Sequence, residues 1–260
     1  MTRWSRWLAP AARVAHFMLM NFWAVLALFI AWEVWVRWND LNAIVMPYPM
    51  AVLSDIVHNP GIYLRNTLQT FSLAIAGLVI GLFVGTSLAV LTWASRTLTG
   101  LLTPLTLIFA SVPVVALIPI LARLFGYDIK TVLVIVAIIS FFPSFVFTSA
   151  GLRLLPKGSG DLYAVSGASK GRCLFFLAIP AALPNWMLAL RLAAANSILA
   201  AMVAEFLMGV SGLGNLFHAA SSDLDMQRAL GASLVAMFIS VSLYAATGLL
   251  SEFVQRRWEE

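Results

Sequence analysis

Apolar runs about as long as one bilayer crossing, roughly 20 residues each, recur six times along this chain. Inside lipid no water is present to hydrogen-bond a free amide or carbonyl, so a crossing segment must be a helix or part of a closed barrel. The alternation of apolar and polar residues that a barrel requires is missing. Of the residues, 62% are hydrophobic and only 10% charged, against roughly 45–50% and 25% in soluble domains. One buried core cannot hold that excess, so it faces lipid. The expected fold class is therefore all-α and polytopic, with six transmembrane helices at about 17–36, 67–93, 101–122, 131–150, 185–208 and 229–250. The domain organisation follows: an N-terminal segment over 1–16, a transmembrane domain over 17–254 and a tail over 255–260.

Charge sets the expected orientation. The net charge is +5, but the basic residues are scattered among the spans rather than massed on one surface, which argues against a nucleic-acid partner. With the N-terminus inside, the inner segments hold ten of the sixteen Lys and Arg residues, including Arg3, Arg96, Arg153, Lys157, Lys170 and Arg256. The outer segments hold Arg37, Arg65, Arg123, Lys130 and Arg228, along with Asp40, Asp55, Asp128, Asp223 and Asp225. Both termini and the 151–184 loop are thus expected in the cytoplasm. Trp32, Trp35 and Trp38 mark an interface at the far end of the first span. That span lacks a small-residue cleavage site and is expected to be retained rather than removed as a signal peptide.

Several segments carry local signals. Met50–Val57, between the turn-forming MPYP and HNPG stretches, reads as a short amphipathic helix. Gly77, Gly81 and Gly85 lie four apart on one face of the second span, a pattern that lets another helix approach closely, within this subunit or across a subunit interface. Residues 94–100 read as a short loop and 123–130 as a tight turn. Pro104, Pro113 and Pro119 interrupt the third span, which makes it a kinked helix beside a pathway or an irregular crossing.

No catalytic constellation stands out. His16, His58 and His218 fall in separate segments, so no metal site is expected, and the lone Cys173 has no disulfide partner. The stretch Ser166–Gly171 lacks the glycine spacing and preceding strand of a phosphate loop. Energy for work against a gradient would have to come from a partner or an ion. Arg191 and Glu205 are charges within a span and draw attention as functional groups. They are 14 residues apart, about 21 Å along a helix axis, and cannot pair. Each can instead lie near a membrane boundary, neutralised by helix ends or water.

The longest polar-to-amphipathic interruption, 151–184, is the most informative stretch. Asp161-Leu162-Tyr163 is followed by three residues, Gly167, nine residues and then Leu177-Ala178-Ile179-Pro180. Asp161–Val165 can form a helix, Gly167 permits a sharp bend, and Arg172–Leu177 reads as a second short helix ended by Pro180. This spacing resembles the "EAA" loop of ABC-importer permeases, with Asp161 in place of Glu and Leu162-Tyr163 in place of two alanines. The flanks GAS (Gly167–Ser169), IPAALP (Ile179–Pro184), ALRLA (Ala189–Ala193), VAEFL (Val203–Leu207) and SGLGNL (Ser211–Leu216) are similar to the sulfonate, taurine, nitrate and pyrimidine-precursor branch. MPYP resembles that branch's short proline motif.

The resemblance implies a type I importer permease of the inner membrane, working as a homodimer. ABC ATPase subunits would bind the loop, and a substrate-binding protein would deliver a small-molecule solute. The loop would be a cytoplasmic helix–turn–helix coupling element carrying Asp161, Gly167, Ala168, Ser169, Lys170, Leu177, Ile179 and Pro180. The chain itself would be no enzyme and hold no cofactor, ATP being bound by the partner. Solutes implied are sulfonates, nitrate-like anions, aromatic acids or pyrimidine precursors. Pathway candidates from spans three to five are Ser111, Pro113, Phe141, Phe142, Asn196 and Glu205, residues that helix packing alone would also explain. The rival class is an ion-gradient-driven secondary transporter, which would show an internal repeat and ionisable or broken-helix sites in mid-span; no clear repeat is visible.

Overall fold

The computed structural model describes the backbone of residues 23–155, 158, 163 and 165–259. Helices and their connections account for these residues, with no strand among them. Helix α1 covers residues 23–38, α2 Pro49–His58, α3 Pro60–Ala94, α4 Arg96–Ser111, α5 Val114–Phe125 and α6 Ile129–Arg153. After the loop come α7 over Lys170–Met208, α8 over Leu213–Ser222 and α9 over Met226–Glu259. The expected N-terminal segment 1–16 lies outside the described residues, as does Asp161.

Helices α3, α6, α7 and α9 through Val254 are long and apolar enough to cross a membrane. They coincide with the expected second, fourth, fifth and sixth spans. Their outward faces carry large apolar side chains such as Phe83 and Phe238, as lipid contact demands. The first span is described in part, as α1. The short helix expected at Met50–Val57 is α2.

Three local expectations are corrected. Residues 94–100 do not form a loop: only Ser95 interrupts the helices, in extended conformation. Its hydroxyl accepts the amide of Leu98 at 3.4 Å and its carbonyl accepts that of Thr99 at 3.0 Å, so Ser95 caps α4 directly. The third span is two helices, broken between α4 and α5 at Val112–Pro113, while Pro104 and Pro119 lie inside helices. The tight turn expected over 123–130 is confined to Gly126–Asp128. Gly126 takes φ +96°, and the Asp128 carboxylate accepts the amides of Lys130 and Thr131, starting α6.

Helix α6 sits in the middle, packed on α3 along one side and on α7 along the other. The α3 contact runs along Gly77, Gly81 and Gly85. A Cβ on Gly77 would lie 2.6 Å from Val136 Cβ. One on Gly81 would lie 2.5 Å from the Ala137 carbonyl oxygen, and one on Gly85 2.7 Å from Ser144 Cβ. The glycine stripe therefore serves packing inside this chain. Polar side chains lace the same seam: Ser144 donates to the Leu82 carbonyl at 3.0 Å, and Trp186 of α7 donates to Thr86 at 2.9 Å. At the end of the bundle opposite the 154–169 loop, α2 is tied to α9. Asp55 pairs with Arg228 at 3.1 Å and accepts the Tyr63 hydroxyl at 2.6 Å, and Gly231 leaves room for that ring.

The seam predicts a sharp contrast between two glycines of α3. Gly81→Ala must push α6 backbone aside and should lower stability by about 1–3 kcal/mol, as overpacking does. Gly61→Ala, with nothing within 4 Å of its Cβ, should be neutral or stabilise by roughly 0.5–1 kcal/mol. Thermal unfolding of the two variants in one detergent checks this; equal midpoints would refute the seam.

Candidate functional site

The loop before α7 is built from two capping devices. A helical turn through Tyr163 and Val165 ends at Gly167, which takes φ +66°. The Ala168 amide donates back to the Tyr163 carbonyl at 3.1 Å. That six-to-one bond with a left-handed glycine is the Schellman way of closing a helix. Two residues later Ser169 is extended and its hydroxyl accepts the Arg172 amide at 3.4 Å, an N-cap for α7. No heavy atom lies within 4 Å of a Cβ placed on Gly167. Its backbone angle, not crowding by its own chain, is what favours glycine here.

The second half of the loop departs from expectation. Pro180 does not end a short helix. The helix starting at Lys170 widens into a π turn over Leu174–Ala178 and continues without a break to Met208. The Ile179 amide reaches back five residues to the Leu174 carbonyl. Pro180 follows at once in the first turn of the regular stretch, where its missing N–H matters least. Leu177 and Pro180 are half-buried, whereas Ala168, Ser169 and Lys170 line the loop surface with Ile179 partly open. Three apolar residues escape the sequence argument: Val165, Phe175 and Phe176 are 88%, 68% and 74% exposed. The signal that could have singled them out is bulk on a polar loop, where water alone gives no reason for it.

The pathway candidates do not converge. Ser111 closes α4, and Pro113 precedes α5 on the other side of the break. Phe141 stacks on Phe145 at 5.9 Å and meets Phe142 edge-on at 5.4 Å, within a cluster that includes Ala89, Ala178 and Ala182. Asn196 opens on a separate apolar cavity of about 150 Å³ with Val115, Ile118 and Leu199. A larger apolar groove of about 500 Å³ runs between α7, α8 and α9, lined by residues such as Met202, Phe206, Phe217 and Met237; Pro113, Phe141, Phe142, Asn196 and Glu205 are not among its lining residues.

The Glu205 side chain is 0% exposed. One carboxylate oxygen accepts the Thr70 hydroxyl at 2.8 Å and the Gly214 amide at 3.0 Å, and Thr70 in turn accepts the Leu213 amide at 2.8 Å. Leu213 and Gly214 are the first residues of α8, whose amides have no partner within the helix. An acidic group at a helix N-terminus also meets the positive end of the helix dipole. Gly212, at φ +150°, and Gly214 leave the space the carboxylate and α7 backbone occupy. The VAEFL and SGLGNL stretches therefore form one unit with Thr70. Of the two neutralising partners expected for Glu205, helix ends or water, a helix end meets Oε2, while Oε1 has no hydrogen-bond partner among the described residues.

Arg191 is separate from Glu205. Its guanidinium lies over the Tyr244 ring of α9 at 4.0 Å, against Gly248, where a Cβ would approach it at 3.2 Å. A ring face is a partner for a desolvated cation where no carboxylate is at hand.

Glu205→Ala should destabilise the fold by about 1–3 kcal/mol, the cost of leaving buried donors unpaired. Glu205→Gln, which keeps an acceptor, should recover at least half. Thermal unfolding in detergent is the measurement, and an Ala variant as stable as the parent would overturn the capping role.

Comparison with known proteins agrees with this architecture. The profile of the family described as binding-protein-dependent transport system inner membrane component matches residues 77–260. The riboflavin transport system permease protein RibX of Chloroflexus aurantiacus is 28% identical over 237 residues, 90% of this chain and 88% of the relative. The formylaminopyrimidine transport permease protein ThiX of Halalkalibacterium halodurans is 26% identical over 190 residues, 73% of this chain and 76% of the relative. A chain from the crystal structure of an amino acid ABC transporter superposes with a TM-score of 0.64 at 16% identity, covering 79% of this chain and 97% of that one. At that identity the likeness concerns the fold. With spans, loop and profile in accord, the chain belongs to the binding-protein-dependent transport system inner membrane components, the permeases of ABC importers.

Proposed function

We propose that this chain forms the translocation pathway of an ATP-driven importer as a homodimer in the inner membrane, with both termini and the 151–184 loop in the cytoplasm. The observation that carries the reading is the loop itself: a helical turn closed at Gly167, a Ser169-capped start, and a helix that enters the membrane without interruption. Exposed Val165, Phe175 and Phe176 supply an apolar contact surface for an ATPase subunit that binds the ATP, with Gly167, Ala168, Ser169 and Lys170 around it; Asp161, which the resemblance adds to this contact, lies outside the described residues. A substrate-binding protein delivers the solute at the opposite end, where α2 and α8 lie. The solute is a small organic molecule: a sulfonate, nitrate-like anion, aromatic acid or pyrimidine precursor. The relatives named for riboflavin and a formylaminopyrimidine support the heterocyclic end of that range. Transport proceeds by alternating access, in which partners bind two states of the permease with different affinity.

Two measurements test this reading. Vesicles holding the assembled transporter, with ATP inside and ion gradients collapsed, should still take up solute; uptake that needs only a gradient would make the protein a secondary transporter. In the same vesicles, Gly167→Asp should abolish ATP-dependent uptake. Aspartate is among the side chains that tolerate the left-handed region, so the fold should survive. An unpaired charge placed in a desolvated contact should weaken ATPase association on the order of a hundredfold. Unchanged co-purification and uptake would remove Gly167 from the contact.

A further inference from the structure

A cavity of about 460 Å³ opens where α3 meets α4, beside the end of α6. It is lined by Thr92, Trp93, Arg96, Thr99, Gly100 and Arg153. Arg96 and Arg153 thus line one space from separate helices, and no acidic residue lines it among the described residues. Neither arginine forms an ion pair among the described residues. The cavity is held in shape by hydrogen bonds: Thr99 donates to the Thr92 and Ser95 carbonyls at 2.6 and 3.1 Å, and Arg153 donates to the Thr99 hydroxyl at 3.5 Å. The single-residue break at Ser95 folds α4 back beside α3 and so creates the pocket.

Surface lysines and arginines normally spread into water. Here Arg96 and Arg153, though exposed, line one cavity at the ends of membrane-crossing helices, where the headgroup layer begins. Trp93, a residue that favours that layer, forms part of the wall. Leu91 on α3, Leu101 on α4 and Leu154 just after α6, each close in sequence to a lining residue, are exposed, which supplies apolar surface near a cationic pocket. A free anion needs only the cations; a ligand with a phosphate head and acyl chains uses both.

We propose that this cavity is a binding site for the phosphodiester headgroup of an anionic phospholipid, with Arg96 and Arg153 holding the phosphate and the exposed leucines meeting the chains. Trp93 also packs, together with Leu155 and Leu174, on the cluster built by Ala89, Phe145, Leu152, Ala178 and Ala182. Leu155 and Leu174 flank the loop on either side. A lipid seated against Trp93 therefore braces both roots of the loop.

The test uses the full chain purified in a neutral detergent, with short-chain phosphatidylglycerol, phosphatidylcholine and inorganic phosphate as separate probes. Binding is read by native mass spectrometry and by thermal shift. Phosphatidylglycerol should bind and stabilise, phosphatidylcholine should bind much more weakly, and phosphate alone at the same concentration should do nothing. The double variant Arg96→Gln/Arg153→Gln should bind phosphatidylglycerol roughly thirtyfold more weakly, about fivefold for each arginine near a lipid surface. Arg96→Lys/Arg153→Lys, which keeps the charge, should retain most of the binding. Arg37→Gln, at the opposite end of the bundle, should have no effect. Equal binding of the two lipids, or a double Gln variant that binds like the parent, overturns the site. Phosphate binding as tight as the lipid's would make it a small-anion site and overturn the lipid assignment. Loss of ATPase co-purification with lipid binding intact would make the arginines a protein-docking patch and overturn it as well.

Discussion

Helix α6 can occupy the centre of this bundle only because the helices beside it yield space. Between helices in lipid there is little hydrophobic drive, since lipid chains are as apolar as the side chains they would replace. What remains is close packing and hydrogen bonding, and both require backbones to approach. On the α3 side, Gly77, Gly81 and Gly85 remove the side chains at the three points where α6 comes closest. On the α7 side, Gly151 of α6 does the same: a Cβ there would lie 2.9 Å from Ala182 Cα and Asn185 Cβ. Trp186 then closes the triangle by donating to Thr86 of α3. The three helices are fixed by contacts in which any added methyl must move main chain.

Around this unit the backbone is irregular in several places, and most of these irregularities have a chemical partner at hand. Ser95 caps α4, Asp128 caps α6, a π turn absorbs Pro180, Gly167 and Ser169 close and reopen the loop, and Glu205 with Thr70 serves the start of α8. An unsatisfied amide in lipid costs several kcal/mol, and at Ser95, Asp128 and Gly167 the helix ends where a side chain or a left-handed residue stands ready. Glu205 is the extreme case. The others cap from an adjacent residue; Glu205 reaches across from another helix, in a site closed to solvent, and needs Gly212 and Gly214 to make room.

Much of this was legible in the sequence, because hydrophobic run length and glycine spacing are local. The four long spans followed from apolar runs alone, and the Gly167 bend from the one residue type that takes φ +66° freely. What the sequence hid depends on partners far away in the chain. The glycine stripe left open whether it met this subunit or another; only the position of Val136, Ala137 and Ser144 decides. For Arg191 and Glu205 helix geometry excludes a mutual pair but does not name what each meets: Tyr244 lies 53 positions and Thr70 135 positions from the residue each serves. Pro180 misled for a different reason. A proline reads as a stop, and nothing in a linear string shows that the preceding turn has widened to accommodate it.

The π turn has a mechanical consequence. Helix α7 is 39 residues long, about 58 Å at 1.5 Å per residue, and it joins the loop at one end to the Glu205 cap near the other. A regular helix is stiff, and sharp bends are found at prolines and π turns. Both kinds of weak point, Leu174–Ala178 and Pro184, lie in its first 15 residues. Beyond Asn185 the helix has no such interruption and is packed through Ala189, Ala193, Ala200 and Ala204, all buried. A displacement at Lys170 therefore has two outcomes. It is absorbed as bending below Asn185, or it moves the rest of α7 as a rod together with the helices locked to it. Small residues at a tight seam favour the second, because interlocked contacts resist sliding and shift as a body. The breaks at Ser95 and Pro113 then place the freedom elsewhere, in α4 and α5, which are joined to the rigid unit by short extended residues rather than by continuous helix.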